Sequence, residues 1–562
     1  MDEKHEVVVQ HEELDAVLER CAQDGSITDP ALVEAALEAT ADDHELGVWE
    51  AIKTYPQAVG WALVAATCVI MEGYDTSLLN NFFAYPSFLI RYGFWVGKTP
   101  ATPTGYQLTA AWQSGLSQGT NVGVIIGCLI SGFIVERWGS RTAQLSSLIS
   151  LSAFIFIVVF APNLPVLLVG EILCGIPWGI LSTTAPAYAA EVLPNSLRIY
   201  LTSYTNMCFI IGQFISAGVI KGLSTREDQW GYRIPFCLQW AWPIFLGPLI
   251  YLSPESPWFY VRQGRVKDAE ASLNRLRSKK NAGSRVDSRK KLAAIIYTNN
   301  LERNLTIGTS YWDCFKGTEL RRTEIACFCF SGQILSGINF AYNSSYFFSQ
   351  IGLGTKTTYS LNLGGTGLAL IGTFMNWFFL MPYFGRRTIY IWGMAAMFTV
   401  LIVIGILNPW TERYSVGMTQ ASLTLLWTFF FQLSAGQLGW ALPAEMGSSR
   451  LRQKTICVAR EASNLIGIVA GILQQYFMNP QAWNIKGYTG FFWGGTCLGM
   501  LVWCYFRLPE TKGRTFDELD VLFAKKVPAR KFASTVVDSF DENDMADLTG
   551  QPLDKMVQKT AA

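Results

Sequence analysis

The chain has 562 residues, half of them hydrophobic and only 15% charged, with 49 glycines, 35 phenylalanines and 19 tryptophans. A soluble chain of this size carries about a quarter charged residues, so the composition points to a membrane-embedded body. The 44 Lys and Arg balance the 43 Asp and Glu, and the three histidines, His5, His11 and His44, all precede the apolar body, leaving it no imidazole for a zinc centre, a Ser/His triad or a proton shuttle.

In chain order, residues 1–57 read as an acidic tail: the first fifty hold fifteen acids against Lys4 and Arg20. No basic stretch precedes an apolar core there, so no cleavable signal is expected and insertion falls to the first span. Apolar stretches of roughly 20 residues, long enough to cross about 30 Å of hydrocarbon, then recur twelve times. They run Ala58–Leu79, Ala111–Val135, Ala143–Ala161, Val166–Ala187, Leu201–Ile220, Ile234–Leu252, Ile325–Phe348, Asn362–Tyr383, Ile389–Leu407, Ala421–Leu442, Thr455–Phe477 and Gly490–Phe506. Two six-helix halves follow, residues 58–252 and 325–507, separated by a polar loop over 253–324 and followed by a tail over 508–562.

The loop holds fifteen Lys and Arg from Arg262 to Arg322. Such residues stay on the cytoplasmic side, which places the loop and, with twelve spans, both termini in the cytoplasm. Arg91, Lys98, Lys221, Arg226 and Lys486 fall on the opposite side. Within the loop, Val266, Ala269, Leu273 and Leu276 form a thin apolar stripe, either an amphipathic helix under the membrane half or a solvated linker helix. The cysteines sit mostly in apolar runs and read as small buried hydrophobes, the Cys327/Cys329 pair included, so no disulfide framework is expected.

An internal repeat organises the rest. Gly139-Ser-Arg-Thr142 after the second span returns as Gly385-Arg-Arg-Thr388 after the eighth. Glu191 with Arg198 after the fourth returns as Glu445 with Arg450 and Arg452 after the tenth, and Pro254-Glu-Ser256 returns as Pro509-Glu-Thr511. The offsets are 246, 254 and 255. Two parallel six-helix repeats are the plan of a rocking transporter whose cargo binds midway between them. Glu136, Arg137, Arg141, Arg386 and Arg387 stand at helix ends, where Glu191 and Glu445 from other helices can pair with the arginines. That makes either a latch within each half, broken on opening, or simple positive-inside anchoring.

The segments ERWGSR (Glu136–Arg141), PESPWFYVRQGR (Pro254–Arg265), FGRRT (Phe384–Thr388) and LPETKGRTFDEL (Leu508–Leu519) resemble signatures of the sugar porter family of the major facilitator superfamily, over about Tyr55–Val521. EGYDTSLLNNFFAYPSF (Glu72–Phe88), AAEVLPNSLRIYLTSYTNMCFIIGQ (Ala189–Gln213) and SSRLRQKTICVAR (Ser448–Arg460) are most similar to the fungal alpha-glucoside (maltose-type) permeases. The implied fold is an all-α polytopic membrane protein, twelve transmembrane helices in two six-helix halves.

A sugar site needs neutral polar groups facing a wet cavity. In the seventh span Gln333, Ser336, Gly337 and Asn339 cluster, with small residues permitting a local break, and Asn343 extends the polar face. The resemblance matches this to the family's QQ-x-SG-x-N segment, with Ile334 replacing the second glutamine. Asn206 and Gln213 in the fifth span add amides. The family match makes Trp440 a sugar-stacking ring and adds Asn464. The sequons at Asn304 and Asn343 are expected to be unused. In the first span Glu72 and Asp75 lie three apart on one face, and an intramembrane carboxylate is costly enough to imply function. The family pairs such acids with an arginine, here Arg460, for proton coupling. The alternative puts Glu72 near the surface and Asp75 at a helix end. Where the family commonly carries another acid, in a GE-x-x-G context, this chain reads Gly123-Val124-Ile-Ile-Gly127.

The expected activity is secondary transport without enzyme chemistry: proton-coupled import of an alpha-glucoside or related sugar by alternating access. Its partners are the cargo, protons and the bilayer of the plasma membrane, with the chain a monomer and with no cofactor, metal or nucleic acid. A major facilitator carrier of a non-sugar small molecule and a sugar transceptor with little flux are the alternatives.

Overall fold

The computed structural model describes residues 14–535 except 27–28, 46–47, 99–101, 103, 227, 278–287, 307–309, 412, 448–450, 513 and 515. Helices dominate, and the one sheet among the described residues is the antiparallel pair Phe94–Trp95 and Tyr106–Gln107. Ten described helices are long and apolar enough to cross a membrane, coinciding with predicted spans 1 to 9 and 11. The tenth is helical over Tyr414–Leu433 and Ala435–Met446, and the twelfth over Thr489–Arg507. Thr, Gly and Trp dilute both, and Gln the tenth as well.

Two compact units emerge. The first comprises Met1–Gly73, Gly119–Gly212 and Phe236–Gly308. Its spans 2 and 4 meet through glycines. A Cβ on Gly123 would stand 2.2 Å from the Ile172 carbonyl oxygen, and one on Gly127 would stand 2.1 Å from that of Ile176. The two small-xxx-small pairs, Gly123/Gly127 and Gly175/Gly179, therefore bring backbone onto backbone. Span 1 buries an alanine stripe, Ala58, Ala62, Ala65 and Ala66, against Ala185, Tyr188 and Ala189 of span 4.

Outside the spans, the acidic tail folds onto the loop. The tail helices, residues 14–24 and Pro30–Glu45, contribute Leu18, Cys21, Leu32 and Ala35 to one core with Val266, Ala269 and Leu273 of the loop helix Val266–Leu276 and Leu292 and Ile296 of the helix Ser288–Thr306. The stripe at Val266, Ala269 and Leu273 is thus covered by protein; only Leu276 joins the core beneath span 1. Charge aligns the rim: Lys290 with Glu38 at 2.5 Å, Arg289 with Asp15 at 3.2 Å and Lys267 with Glu19 at 3.3 Å. The Asn300 amide donates to the Cys21 carbonyl at 2.8 Å.

The second unit comprises Tyr74–Gln118, Gln213–Pro235 and Thr309–Ala562. Two helix breaks shape it. Span 7 ends at Leu335, passes Gly337 at φ +100° and resumes over Ile338–Tyr342, which is the break expected from its small residues, at a backbone angle that favours glycine. Span 10 breaks at Ser434, whose hydroxyl donates back to the Phe430 carbonyl.

Candidate functional site

The span 7 break is braced on the span 10 break. Gln333 Nε2 donates to the carbonyls of Ala435 and Gly436 at 3.1 and 3.0 Å, tying span 7 to the first turn of the helix that follows the span 10 break. Its amide nitrogen is therefore engaged by protein. Ser336 is fully buried and its hydroxyl donates to the Gln333 carbonyl at 2.7 Å. Asn343 donates to the Asn339 carbonyl at 2.8 Å and accepts from Gln475 Nε2 at 2.9 Å. Gln213 hydrogen-bonds the Tyr342 hydroxyl. Among the predicted site residues, Asn339 Nδ2 of span 7 is a buried amide nitrogen without a hydrogen-bond partner, whereas the Asn464 side chain of span 11 hydrogen-bonds the Glu461 carboxylate; the two spans pack together. Ile334 packs toward Gly467 of span 11, one turn from Asn464. Trp440 stands edge-on to Phe330 at 5.4 Å, and the Arg460 guanidinium lies over the Trp440 ring at 5.3 Å. The ring expected to stack on sugar and the arginine expected to govern protons thus share one contact. Asn206, in the first unit, is half-buried on span 5.

Glu72 is half-buried and Asp75 is 1% exposed. Both lie inside the continuous helical span Pro56–Phe82, so Asp75 caps no helix end. A third intramembrane carboxylate, absent from the expected set, is Glu171 of span 4, fully buried and accepting from the Thr120 hydroxyl at 3.0 Å. Thr120 lies one turn before Gly123. Glu171 of span 4 thus reaches span 2 close to the segment Gly123-Val124-Ile-Ile-Gly127.

The repeated charges pair differently from expectation in the first half. Glu191 bonds Arg262 at 2.9 Å and accepts from the Ser256 hydroxyl, and Arg137 and Arg141 do not pair with it. Glu255 occupies the start of span 3, accepting from the amides of Ser140 at 3.0 Å and Arg141 at 3.2 Å. The Arg141 guanidinium then rests over the Tyr251 ring at 5.1 Å. Glu136 and Arg137 are exposed. In the second half Glu510 accepts from the amides of Arg386 at 2.7 Å and Arg387 at 3.1 Å, the Thr511 hydroxyl donates to Glu445 at 2.5 Å, and Arg386 approaches Glu445 at 3.8 Å. Arg387 donates to the Tyr505 carbonyl at 2.8 Å. The glutamate of each Pro-Glu-Ser/Thr motif thus caps the helix opened by the Gly-x-Arg motif, and the following hydroxyl holds the glutamate of the preceding repeat element. Carboxylates at helix N-termini satisfy orphan amides and oppose the helix dipole. Burial pushes the Glu255 carboxyl above its ordinary range, against the opposing pull of the amides of Ser256, Arg141 and Ser140. The side chain of Arg198 and all of Arg450 lie outside the described residues.

The ends of the spans opposite the central loop carry a polar clasp within the second unit. Ser345 Oγ donates to Asn81 Oδ1 at 2.5 Å, the Tyr359 hydroxyl to the Asn81 carbonyl at 3.1 Å, and Gln107 Nε2 to the Tyr346 hydroxyl at 2.5 Å. Asn479 Nδ2 donates to the Leu108 carbonyl at 2.8 Å and to Gln113 Oε1 at 2.9 Å. Spans 1 and 2 are tied by these bonds to spans 7, 8 and 11.

The model of the family described as "Sugar (and other) transporter" matches residues 61–523. The chain belongs to that family. A maltose permease, MAL61 of Saccharomyces cerevisiae, is 38% identical over 518 residues, covering 91% of this chain and 83% of the relative. The general alpha-glucoside permease of S. cerevisiae strain CEN.PK113-7D is 38% identical over 508 residues, covering 90% and 81%. Among solved structures, the E. coli xylose transporter XylE in a partially occluded inward-open conformation superposes with a TM-score of 0.65 at 19% identity, covering 82% of this chain and all of that one. A second XylE structure, a proton:xylose symporter bound to 6-bromo-6-deoxy-D-glucose, gives 0.65 at 20% identity, covering 83% and 99%. The fold is that of the major facilitator superfamily, and the chain is a membrane sugar transporter of that superfamily related to the fungal alpha-glucoside permeases, not an enzyme.

Several positions in this transporter escaped the sequence reading. Glu171 had a signal, an acid inside a 29-residue apolar helix. Asn81 and Ser345 had one too, polar residues within spans, the latter in the sequon set aside as unused. Glu255 and Glu510 lay within recognised motifs, but their bonds reach amides 115 and 124 residues away.

Proposed function

We propose that this transporter imports an alpha-glucoside or related sugar with a proton, by alternating access, as a monomer in a fungal-type plasma membrane with both termini in the cytoplasm. The observation that carries the cargo reading is the buried, unbonded amide donor Asn339 Nδ2, just past the span 7 break and on a span that packs against span 11. Leaving a buried donor unsatisfied costs about 1–3 kcal/mol, which a sugar hydroxyl, able to accept and to donate, recovers on binding. Trp440 offers a ring face to the apolar side of a pyranose. The names of the maltose and alpha-glucoside permeases at 38% identity agree with this cargo class.

Proton coupling is supported by Asp75 and Glu171, 1% and 0% exposed inside spans. Such carboxylates are held in a membrane at a cost that function repays. Glu72 shares the face of Asp75, and Arg460 supplies the charge that favours proton release when it meets an acid. The clasp at Asn81, Ser345 and Gln107 must open before cargo enters from its face.

The test is uptake of a radiolabelled panel of mono- and disaccharides in cells lacking endogenous transporters. Uptake of maltose-type sugars that rises as external pH falls and collapses with a protonophore is expected. Asp75→Asn is expected to keep sugar exchange and lose accumulation against a gradient. Equilibration insensitive to pH and protonophore overturns the coupling; absence of uptake for every sugar overturns the cargo.

A further inference from the structure

Apart from the transport path, a cavity of about 400 Å³ opens between the start of the span 7 helix, the end of span 12 and the C-terminal helix Phe516–Ala524 with the turn that follows it. Its chemistry is unlike that of the amide site. Arg321, Arg507 and Lys526 line it together with Gly317, Phe506 and Phe523. Arg507 is ion-paired with Glu324 through both carboxylate oxygens. Arg321 interacts with the Glu324 carboxylate only at longer range; its Nη1 donates to the Val527 carbonyl at 2.8 Å, and its guanidinium lies over Phe523 and Phe532 at 5.4 and 5.6 Å. Among the described residues no carboxylate lies within ion-pairing distance of Arg321 or Lys526. A further cation, Arg530, stands just beyond, over Tyr505 and Phe506.

The backbone at Lys526 gives an independent indication. The Phe516–Ala524 helix ends with the Val527 amide donating to the Leu522 carbonyl at 3.2 Å and the Lys526 amide to the Phe523 carbonyl at 3.0 Å. This closure puts Lys526 at φ +53°, in the left-handed region where glycine or asparagine normally ends a helix. A lysine there strains the backbone, and strained positions concentrate where the side chain or the conformation is used. Here the strain sets an exposed ammonium at the cavity. The first turn of the 19-residue span 7 helix, which carries Glu319, borders the same cavity through Gly317 and Thr318. The exposed Phe506 at the end of span 12 sets the opening beside the apolar part of that span.

We infer that this cavity binds a phosphate group, held by Arg321, Lys526 and Arg507 at the edge of the membrane. Two sources share that chemistry, the headgroup of an anionic phospholipid and a soluble phosphorylated metabolite. Basic pockets beside spans suit the first, each basic residue near an anionic headgroup contributing about 1 kcal/mol, which is about fivefold in affinity. The inference does not depend on the identity of the transported sugar.

The test uses the full-length protein in neutral detergent, titrated with dioctanoyl phosphatidylinositol 4-phosphate, with dioctanoyl phosphatidylcholine, and with inositol 1,4-bisphosphate, and read by native mass spectrometry. Lys526→Gly removes the charge while relieving the backbone, so it folds at least as well as the parent. It is expected to bind the phosphoinositide about fivefold more weakly, and Arg321→Gln more weakly still. Retention of the phosphoinositide without competition by inositol 1,4-bisphosphate assigns a lipid; competition by the soluble phosphate assigns a metabolite. Equal affinity of parent and Lys526→Gly, or no preference for the phosphoinositide over phosphatidylcholine, overturns the site.

Discussion

Replacing Glu510 with glutamine tests the capping arrangement that both repeats share. The carboxylate takes the amides of Arg386 and Arg387, at 2.7 and 3.1 Å, and that of Lys512 at 3.2 Å. Hydrogen bonds to a charged group contribute about 1.5–3 kcal/mol each and neutral ones about 0.5–1.5 kcal/mol. A glutamine keeps one oxygen acceptor and turns an NH2 group toward the other helix amide. One charged bond is lost and another becomes neutral, a destabilisation of about 2 kcal/mol after allowing for partial solvent access. In a cooperative unit of 150–250 residues that corresponds to a fall in melting temperature of about 4–8 °C.

Gly385→Ala supplies the control. A Cβ there would stand 2.1 Å from Glu510 Oε2, forcing the carboxylate off the amides, while the glycine's φ of −74° is open to alanine. Its equivalent Gly139 has φ +86°, so an alanine there adds backbone strain and confounds the reading. Gly385→Ala and Glu510→Gln should therefore cost similar amounts, and the double variant little more than either, a coupling that a double-mutant cycle exposes. Melting in detergent reads stability. Uptake in proteoliposomes should show the maximal rate falling more than apparent affinity, because the cap touches helix ends and not the amide site. Additive losses, or a melting temperature for Gly385→Ala equal to the parent's, would refute the reasoning.

Glu255 carries a pH signature: burial raises its folded-state pKa, so the folded chain binds its proton more tightly than the unfolded chain does. Its ionisation therefore subtracts stability, and the melting-temperature difference between the parent and Glu255→Gln should be most favourable to the parent below the unfolded-state pKa and be lost as pH rises through the folded-state pKa. For the tail, burial of a leucine contributes about 1.5–3 kcal/mol, whereas exposed ion pairs contribute about 0–1 kcal/mol. Leu32→Ala should thus speed amide exchange over residues 14–45 far more than Lys290→Ala, and 0.5 M salt should leave the parent tail protected; salt-induced release would mean that charge holds it. Glu171→Gln should retain sugar exchange and lower accumulation under an imposed proton gradient in proteoliposomes, and unchanged accumulation would remove Glu171 from the proton path.

Much of the frame was legible because it is written in local pattern: apolar stretches set the spans, and the Gly-x-Arg and Pro-Glu motifs recur at near-constant offset. The break at Gly337 was legible because small residues cluster there. The partner of each cap was not, since a motif marks Glu255 without revealing that Ser140 and Arg141 lie beneath it. The stretch before the first span read only as an acidic tail because fifteen acids dominate its composition; the four apolar side chains that place it in a core with the loop helices, Leu18, Cys21, Leu32 and Ala35, lie among that charge. Gly123-Val124-Ile-Ile-Gly127 read as a missing acid, whereas its glycines serve the contact with span 4. Only the packing of spans 2 and 4 brings Glu171 against Thr120.

The two repeats keep their ends and change their interiors, and the reason lies in what each position must satisfy. A helix end needs an acceptor for its first amides whatever the transporter carries, so Glu255 and Glu510, with Ser256 and Thr511, hold equivalent posts. A span interior has no such fixed demand. Span 4 places Glu171 beside glycine-packed helices, where the tight backbone contact leaves no room for a broken helix. Its counterpart, span 10, breaks at Ser434, and Gln333 donates to the carbonyls of Ala435 and Gly436 just beyond that break. Under the proposed coupling, that division puts a proton-carrying acid on unbroken helices and sugar-binding amides beside broken ones. A carboxylate gains from a rigid, dry setting that perturbs its proton affinity, whereas a many-hydroxyl cargo needs several donors and acceptors at short reach, which interrupted backbone and its bracing amides provide.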